Sequence, residues 1–276
     1  MKKFLLTTLL AGASLLTSHA AIIAEENFNY TASIITNDVT DSQINGANGG
    51  TGWTAAWVGD LRGNAFTTSN QTYTGLVTSG GTALSKMALN PGPANFDFGA
   101  NRFFASTTGR VWGSATINFA QVPTYFEFKL NRTTNVNHSA LFGFEGADIF
   151  TKHSLGGATV TTPFAPALNT TYFLAFTYDT TGTAPTSFFV NPTGLGSGSA
   201  PSGSAASASF LGQNWDFPEG VNQLSFYAAN GLFTMDNIRL GTTWADVSPI
   251  PEPSIVALLG LGALGLLAMR RRRSEA

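Results

Sequence analysis

Few side chains in this sequence can do chemistry, and their spacing limits what that chemistry can be. Cutting a glycosidic bond needs two carboxylates a few ångströms apart, one protonated and one ionised. On a single strand that requires acids at alternate positions, as in E-x-D-x-x-E. The nearest stretch is FEFKLN, where Glu127 is followed by Lys129 and Asn131 rather than by further acids. A second group, GFEGADIFTKH, carries Glu145, Asp148 and His153, but its spacing places them about a turn and reads as solvated loop charge. Serine catalysis needs a base, and beyond the N-terminal segment only His138 and His153 are present, neither near a G-x-S-x-G elbow. No catalytic residue is assigned. Acids from distant strands, such as Glu127, Glu145 or Asp236, stay open as a pair that only folding could assemble.

Metal and phosphate chemistry find equally little support. With no cysteine, disulfides, thiol catalysis and cysteine-ligated zinc are excluded. Structural calcium could use Asp and backbone carbonyls, but no D-x-D-x-D-G loop occurs, and Asp38, Asp41 and Asn45 are loosely spaced. The run GGTG at 49–52 lacks a following Lys-Ser/Thr and a helix, so it reads as a turn. No metal site and no cofactor are expected.

Sugar contact has more to recommend it. Trp53, Trp57, Trp112, Trp215 and Trp244 could each stack on a pyranose ring, but in a chain this rich in Phe the favoured reading is that they fill the core and brace loops. Trp57 and Trp215 lie in loop-like sequence and are the best candidates for exposure and glycan contact.

The composition narrows the field further. The chain has 276 residues, a formal net charge of −2 and 11% charged residues, so no basic surface exists to attract nucleic acid. Hydrophobic residues at 43%, with 22 Phe, are enough for a substantial core.

Both ends are apolar and differ in design. The first residues, MKKFLLTTLLAGASLLTSHA, have a basic start at Lys2 and Lys3, an apolar run over 4–16, and a small-x-small site ending at Ala20. This is a secretory signal over 1–20, with signal peptidase cutting after Ala20 or after Ala21, and the apolar run is short for a membrane span. The chain closes PEPSIVALLGLGALGLLAMRRRRSEA. The uncharged segment 254–269 predicts a transmembrane helix of roughly 24 Å at about 1.5 Å per residue. Arg270, Arg271, Arg272 and Arg273 behind it act as a stop-transfer signal and stay cytoplasmic, leaving the body of the chain on the other side. Gly260, Gly262 and Gly265 are followed four residues on by Leu264, Leu266 and Met269, so no small-x-x-x-small dimer ridge forms.

Pro251, Glu252 and Pro253, then the apolar span, then the arginine cluster, resemble the PEP-CTERM sorting signal. The resemblance covers about Pro251 to Arg273, within a sorting segment taken as 249–276, and implies export, temporary anchoring in the inner membrane, and processing near the PEP by an exosortase. It also implies a Gram-negative bacterium that makes exopolysaccharide, and a final location in the envelope, on the surface or in the extracellular matrix.

Between the ends, 21–248 reads as one domain of strands. Val111, Gly113, Ala115, Ile117 and Phe119 alternate with Trp112, Ser114, Thr116 and Asn118. Phe126, Phe128 and Leu130 alternate with Tyr125, Glu127 and Lys129, while Tyr172, Leu174, Phe176 and Tyr178 share one face. The expectation is all-β, a two-sheet antiparallel β-sandwich with a single core. A strand at 26–30 should lie beside one at 233–241. The small-residue run 196–209 should be an exposed loop, and 248–252 a stalk. ENFNYTA, NGGTGWTAAWVGD and DNIRLGTTWADVSP resemble exported bacterial proteins with a concanavalin A-like (LamG-like) jelly roll. That family includes lectins, glycan hydrolases and adhesion modules, so the fold leaves function open. The reading is a non-catalytic envelope or matrix protein associating with extracellular polysaccharide; the alternatives are a glycan hydrolase and a purely structural module.

Overall fold

The computed structural model describes residues 22–31, 44–61, 64–67, 70–78, 82–86, 97–133, 135–153, 159–197, 200–211 and 219–250. The signal segment with Ala20 and Ala21, Trp215, Pro251, Glu252, Pro253, the 254–269 helix and Arg270 to Arg273 lie outside the described residues.

With strands numbered in chain order, one sheet runs β13 (Ala206–Phe210), β12 (Thr186–Val190), β11 (Thr171–Asp179), β6 (Arg110–Gln121), β15 (Leu232–Gly241), β4 (Ala83–Lys86) and β3 (Asn64–Thr67). An eighth strand, β1 (Ile22–Glu26), pairs with the far half of β15. The second sheet runs β10 (Val160–Pro163), β9 (Asp148–His153), β8 (Asn135–Glu145), β7 (Tyr125–Arg132), β14 (Val221–Ala229), β5 (Asp97–Thr107) and β2 (Val58–Leu61). Pairing within both sheets is antiparallel. The fold is the expected all-β two-sheet sandwich.

The alternation seen in sequence becomes the core. Phe126, Phe128 and Leu130 of β7 turn inward with Phe226 and Leu224 of β14, against Ile117 and Phe119 of β6 and Leu174 and Phe176 of β11. Their rings interlock: Phe142 stacks on Phe176 at 4.8 Å, and Phe119 meets Phe144 edge-on at 5.6 Å. Each such ring contributes about 2–3 kcal/mol on burial, so the Phe-rich strands carry the stability of the domain. Gly113 lies beneath the Phe176 ring, where a Cβ would come within 2.2 Å of it.

Four local expectations are corrected. The first strand is Ile22–Glu26, earlier than 26–30; it does pair with β15, with Glu26 opposite Ile238. It stops there because the Glu26 carboxylate accepts the Phe28 N–H at 2.7 Å and Phe28 takes a left-handed φ of 48°. The run 196–209 is not all loop. Its end forms β13, in which Ala206 and Ala208 face inward while Ser207 and Ser209 face out. A period of two in such small residues supplies too little apolar contrast to show as a strand.

A second hydrophobic cluster also exists, on the outer face of the eight-stranded sheet. It joins Trp112, Phe173 and Ala175 to Leu76, Trp244 and Val247, with Tyr73, Phe189 and Leu195 at its margin. Both faces of β6 and β11 are therefore buried. Finally, Ser248 is no stalk: it is fully buried behind the short helix α1 (Trp244–Val247).

Candidate functional site

The expected glycan contact at Trp57 is corrected by its burial. Trp57 is 1% exposed and donates Nε1–H to Glu26 Oε2 at 3.0 Å. It packs against Phe28, Trp53 and Phe226 at the end of the core. Loop sequence sets its backbone, but a large ring beside an inter-sheet ion pair is covered from both sides. Trp244 and Trp112 are also buried, and Trp53 is half-buried with its Nε1–H given to Glu25 O at 2.9 Å. The favoured role of the tryptophans, bracing core and loops, holds for these four.

Around Trp57 lies a closed polar network. Glu26 points inward from β1, Arg102 points inward from β5, and the two form an ion pair with side chains 0% and 1% exposed. Glu26 also accepts the Tyr30 hydroxyl at 2.9 Å. Arg102 donates to Ala55 O at 2.9 Å, Asn48 Oδ1 at 2.9 Å and Gly49 O at 2.7 Å, with Trp53 and Trp57 flanking its guanidinium. Burial, with the Glu26 charge second, pushes the Tyr30 hydroxyl up to about 12. These bonds are spent within the protein and fasten the 44–57 loop to both sheets.

The three candidate acids separate. Asp236 is in β15 on the outer side of the eight-stranded sheet, where Oδ2 accepts Gln71 N–H at 3.2 Å and Oδ1 accepts Asn237 N–H at 2.7 Å. Glu127 and Glu145 are on the other sheet. Glu127 pairs with Gly143 across β7 and β8, and Glu145 lies two residues further along the same face, a diagonal of about 7–8 Å between Cα atoms. Glu145 and Asp148 flank the tight β8–β9 turn and His153 points to the core, edge-on to Tyr178, so that trio does not converge. Among the described residues no three His, Asp or Glu side chains are grouped to hold a metal.

One surface does combine rings with polar groups: the outer face of the seven-stranded sheet. Tyr125 of β7 stacks on Phe150 of β9 at 5.4 Å and tilts toward Tyr227 of β14 at 6.1 Å. The Lys152 ammonium covers both Tyr125 and Phe150, at 4.9 and 4.6 Å from the ring centres. The Tyr125 hydroxyl donates to Glu127, whose carboxyl is held above its usual range chiefly by burial, with Lys152 and Lys129 pulling the other way. Burial and then Glu127 hold the Tyr125 hydroxyl protonated. Further along, Gln223 faces Asn131, whose Oδ1 is buried without a hydrogen-bond partner. The flat centre of this face is Gly143, where a Cβ would meet Phe126 O at 1.8 Å. Apart from Glu127, these residues escaped the sequence reading, because Tyr125 appeared only as the polar side of an alternating strand. An aromatic ring on the solvent side of that alternation was the available signal.

Residues 249–273 match the PEP-CTERM protein-sorting motif. The chain thus carries an export and sorting signal at its C-terminus. No curated protein matches the sequence. Solved structures resemble the sandwich at low sequence identity. An endo-acting O-glycanase structure from human gut microbiota has TM-score 0.45 and 8% identity, covering 81% of this chain and 100% of that one. The carbohydrate binding module CBM66 from Bacillus subtilis has TM-score 0.37 and 8% identity, covering 66% of this chain and 97% of that one. Galectin LEC-6 from Caenorhabditis elegans has TM-score 0.37 and 13% identity, covering 51% and 89%. Among the described residues no helix is long and apolar enough to cross a membrane.

Proposed function

We propose that this is an exosortase-sorted protein of the cell envelope or extracellular matrix whose jelly roll binds extracellular polysaccharide without cutting it. Signal peptidase would free the N-terminus at Ala20 or Ala21. The 254–269 segment would hold the chain in the inner membrane until processing at Pro251, Glu252 and Pro253. The binding surface is the outer face of the seven-stranded sheet. The observation that carries this reading is the half-buried Tyr125–Tyr227 pair beside Glu127 and Lys152, with Gln223 further along the same face, a set of ring faces with hydrogen-bonding groups at their edges. Pyranose rings present C–H faces and equatorial hydroxyls of matching kind. Saturable binding of the full chain to purified exopolysaccharide, lost in Tyr125→Ala and Tyr227→Ala with folding intact, is the expected result. Equal binding by both variants sinks the proposal.

A second reading is hydrolysis on the same face, favoured by the raised Glu127 carboxyl lying diagonal to Glu145. Release of new reducing ends by the wild-type chain, abolished in Glu127→Gln, would establish it in place of simple binding.

A further inference from the structure

The sorting motif begins at residue 249, yet the fold does not end there. α1 lies on the outer face of the eight-stranded sheet. Its Trp244 is buried between Trp112 at 5.6 Å and Phe173 at 6.1 Å and donates Nε1–H to Gly194 O at 2.7 Å. Asp246 closes the turn before the helix by accepting the Thr242 and Thr243 N–H groups at 2.9 and 2.8 Å. Each following residue has its own tie. Val247 O accepts the Ser114 hydroxyl at 2.7 Å, and Ser248 Oγ accepts Gly196 N–H at 3.1 Å while donating to Trp244 O at 2.8 Å. Pro249 O accepts Val77 N–H at 2.8 Å. Ile250 lies over Gly196, where a Cβ would come within 2.6 Å of its Cγ1.

We infer that 244–250 is a seat that fixes the start of the sorting motif on the outer face of the eight-stranded sheet, so that the membrane-tethered chain stands with this face toward the lipid surface and the outer face of the seven-stranded sheet away from it. The ties come from three separate parts of the chain: Val77 in the 70–77 strap, Ser114 in β6, and Gly194 and Gly196 in the loop after β12. A flexible stalk needs none of them. Pro251 follows Ile250 directly, leaving no free residues over which the domain could swivel before the PEP. The processing enzyme therefore meets the PEP at a set distance from a folded surface, and the bonds within 244–250 are closed to it while the domain is folded. The seat stands whatever the opposite face binds; the orientation rests on the membrane-anchored reading of the tail.

The two parts have separate tests. Hydrogen exchange of the full chain in detergent micelles should show 244–250 slowed by roughly 100-fold or more against an unstructured peptide of the same sequence. Val77→Pro, and independently Ser114→Ala, should speed exchange at 247–250 by about 10-fold while β7 and β8 are unchanged. Exchange at the unstructured rate in the wild-type chain overturns the seat. For orientation, the absence of native cysteine allows single spin labels at Val77→Cys, beside the seat, and Val58→Cys, exposed on the opposite face. In anionic phospholipid vesicles doped with a nickel-chelating lipid, relaxation should be enhanced several-fold more at Val77 than at Val58. Equal enhancement, the reverse order, or no enhancement at either site overturns the orientation, while the exchange result still decides the seat.

Discussion

Arg102 and Glu26 meet in the interior, one reaching in from each sheet, and neither side chain touches solvent. β1 and β5 are far apart in sequence and in different sheets, so this pair is a covalent-free staple through the sandwich. It holds Asn48, Gly49 and Ala55 as well, and thereby the whole loop that carries Trp53 and Trp57.

Removing one partner should be costly. Arg102→Met leaves the Glu26 carboxylate buried with its main counter-charge gone, a loss of about 3–5 kcal/mol in denaturant unfolding. The double variant Arg102→Met with Glu26→Gln should lose less than the sum of the singles, because the unpaired charge is then absent. Additive losses would show that the two residues act separately.

Trp57→Phe separates bracing from binding. It keeps a ring against Phe28 and Phe226 but deletes the Nε1–H bond to Glu26, so stability should fall by about 1–3 kcal/mol. Polysaccharide affinity should not change. A selective loss of affinity at unchanged melting temperature would return Trp57 to the binding surface.

Asp236 gives the domain a pH dependence of definite sign. Burial raises its pKa to about 7, despite two backbone N–H donors that favour the charged form. Between about pH 4, the ordinary carboxylate value, and about pH 7 the folded chain holds a proton that the unfolded chain has released. Stability from this group is greatest below that window and falls as pH rises through it, by at most ~1.4 kcal/mol per pH unit. Denaturation midpoints of wild type and Asp236→Asn, compared from pH 4 to pH 8, should fall more steeply in the wild type, the difference between the two being the Asp236 slope.

Gly113→Ala drives a methyl group into the Phe176 ring, which is itself stacked on Phe142 and Phe128. Overpacking of this kind costs about 1–3 kcal/mol. Pairing with Phe176→Leu should recover part of the loss, whereas a purely conformational effect of the glycine would not be relieved.

Processing has its own signature. The mature native chain should begin at Ala21 or Ile22 and end beyond Ile250, as read by intact mass. Replacing Pro251, Glu252 and Pro253 with alanines should leave a full-length form in the inner membrane. If wild type also keeps its arginine tail there, the segment is an anchor and not a processing signal.

The sequence made the sandwich visible where one face of a strand is apolar and the other polar. β7 is the clearest case, with Phe126, Phe128 and Leu130 buried and Tyr125, Glu127 and Lys129 turned outward. β11 was equally plain as a strand, but its second buried face was not expected: Phe173 and Ala175 are covered by Leu76 and Trp244, which come from remote segments. Trp57 shows the same limit, since its burial depends on the ion pair behind it. The candidate face needed folding too. Tyr125, Phe150 and Tyr227 belong to β7, β9 and β14, and only the strand order brings their rings together.

The seat at 244–250 also decides how the protein carries load. It follows directly from β15, which lies between β6 on one side and β1 and β4 on the other, in the interior of its sheet. A pull on the tail first meets the short ties of Val247, Ser248 and Pro249. Beyond them it acts along β15 and shears two antiparallel ladders at once, instead of peeling an edge strand bond by bond. Single-molecule stretching from the C-terminus should therefore give one high-force rupture after a small early yield at the seat.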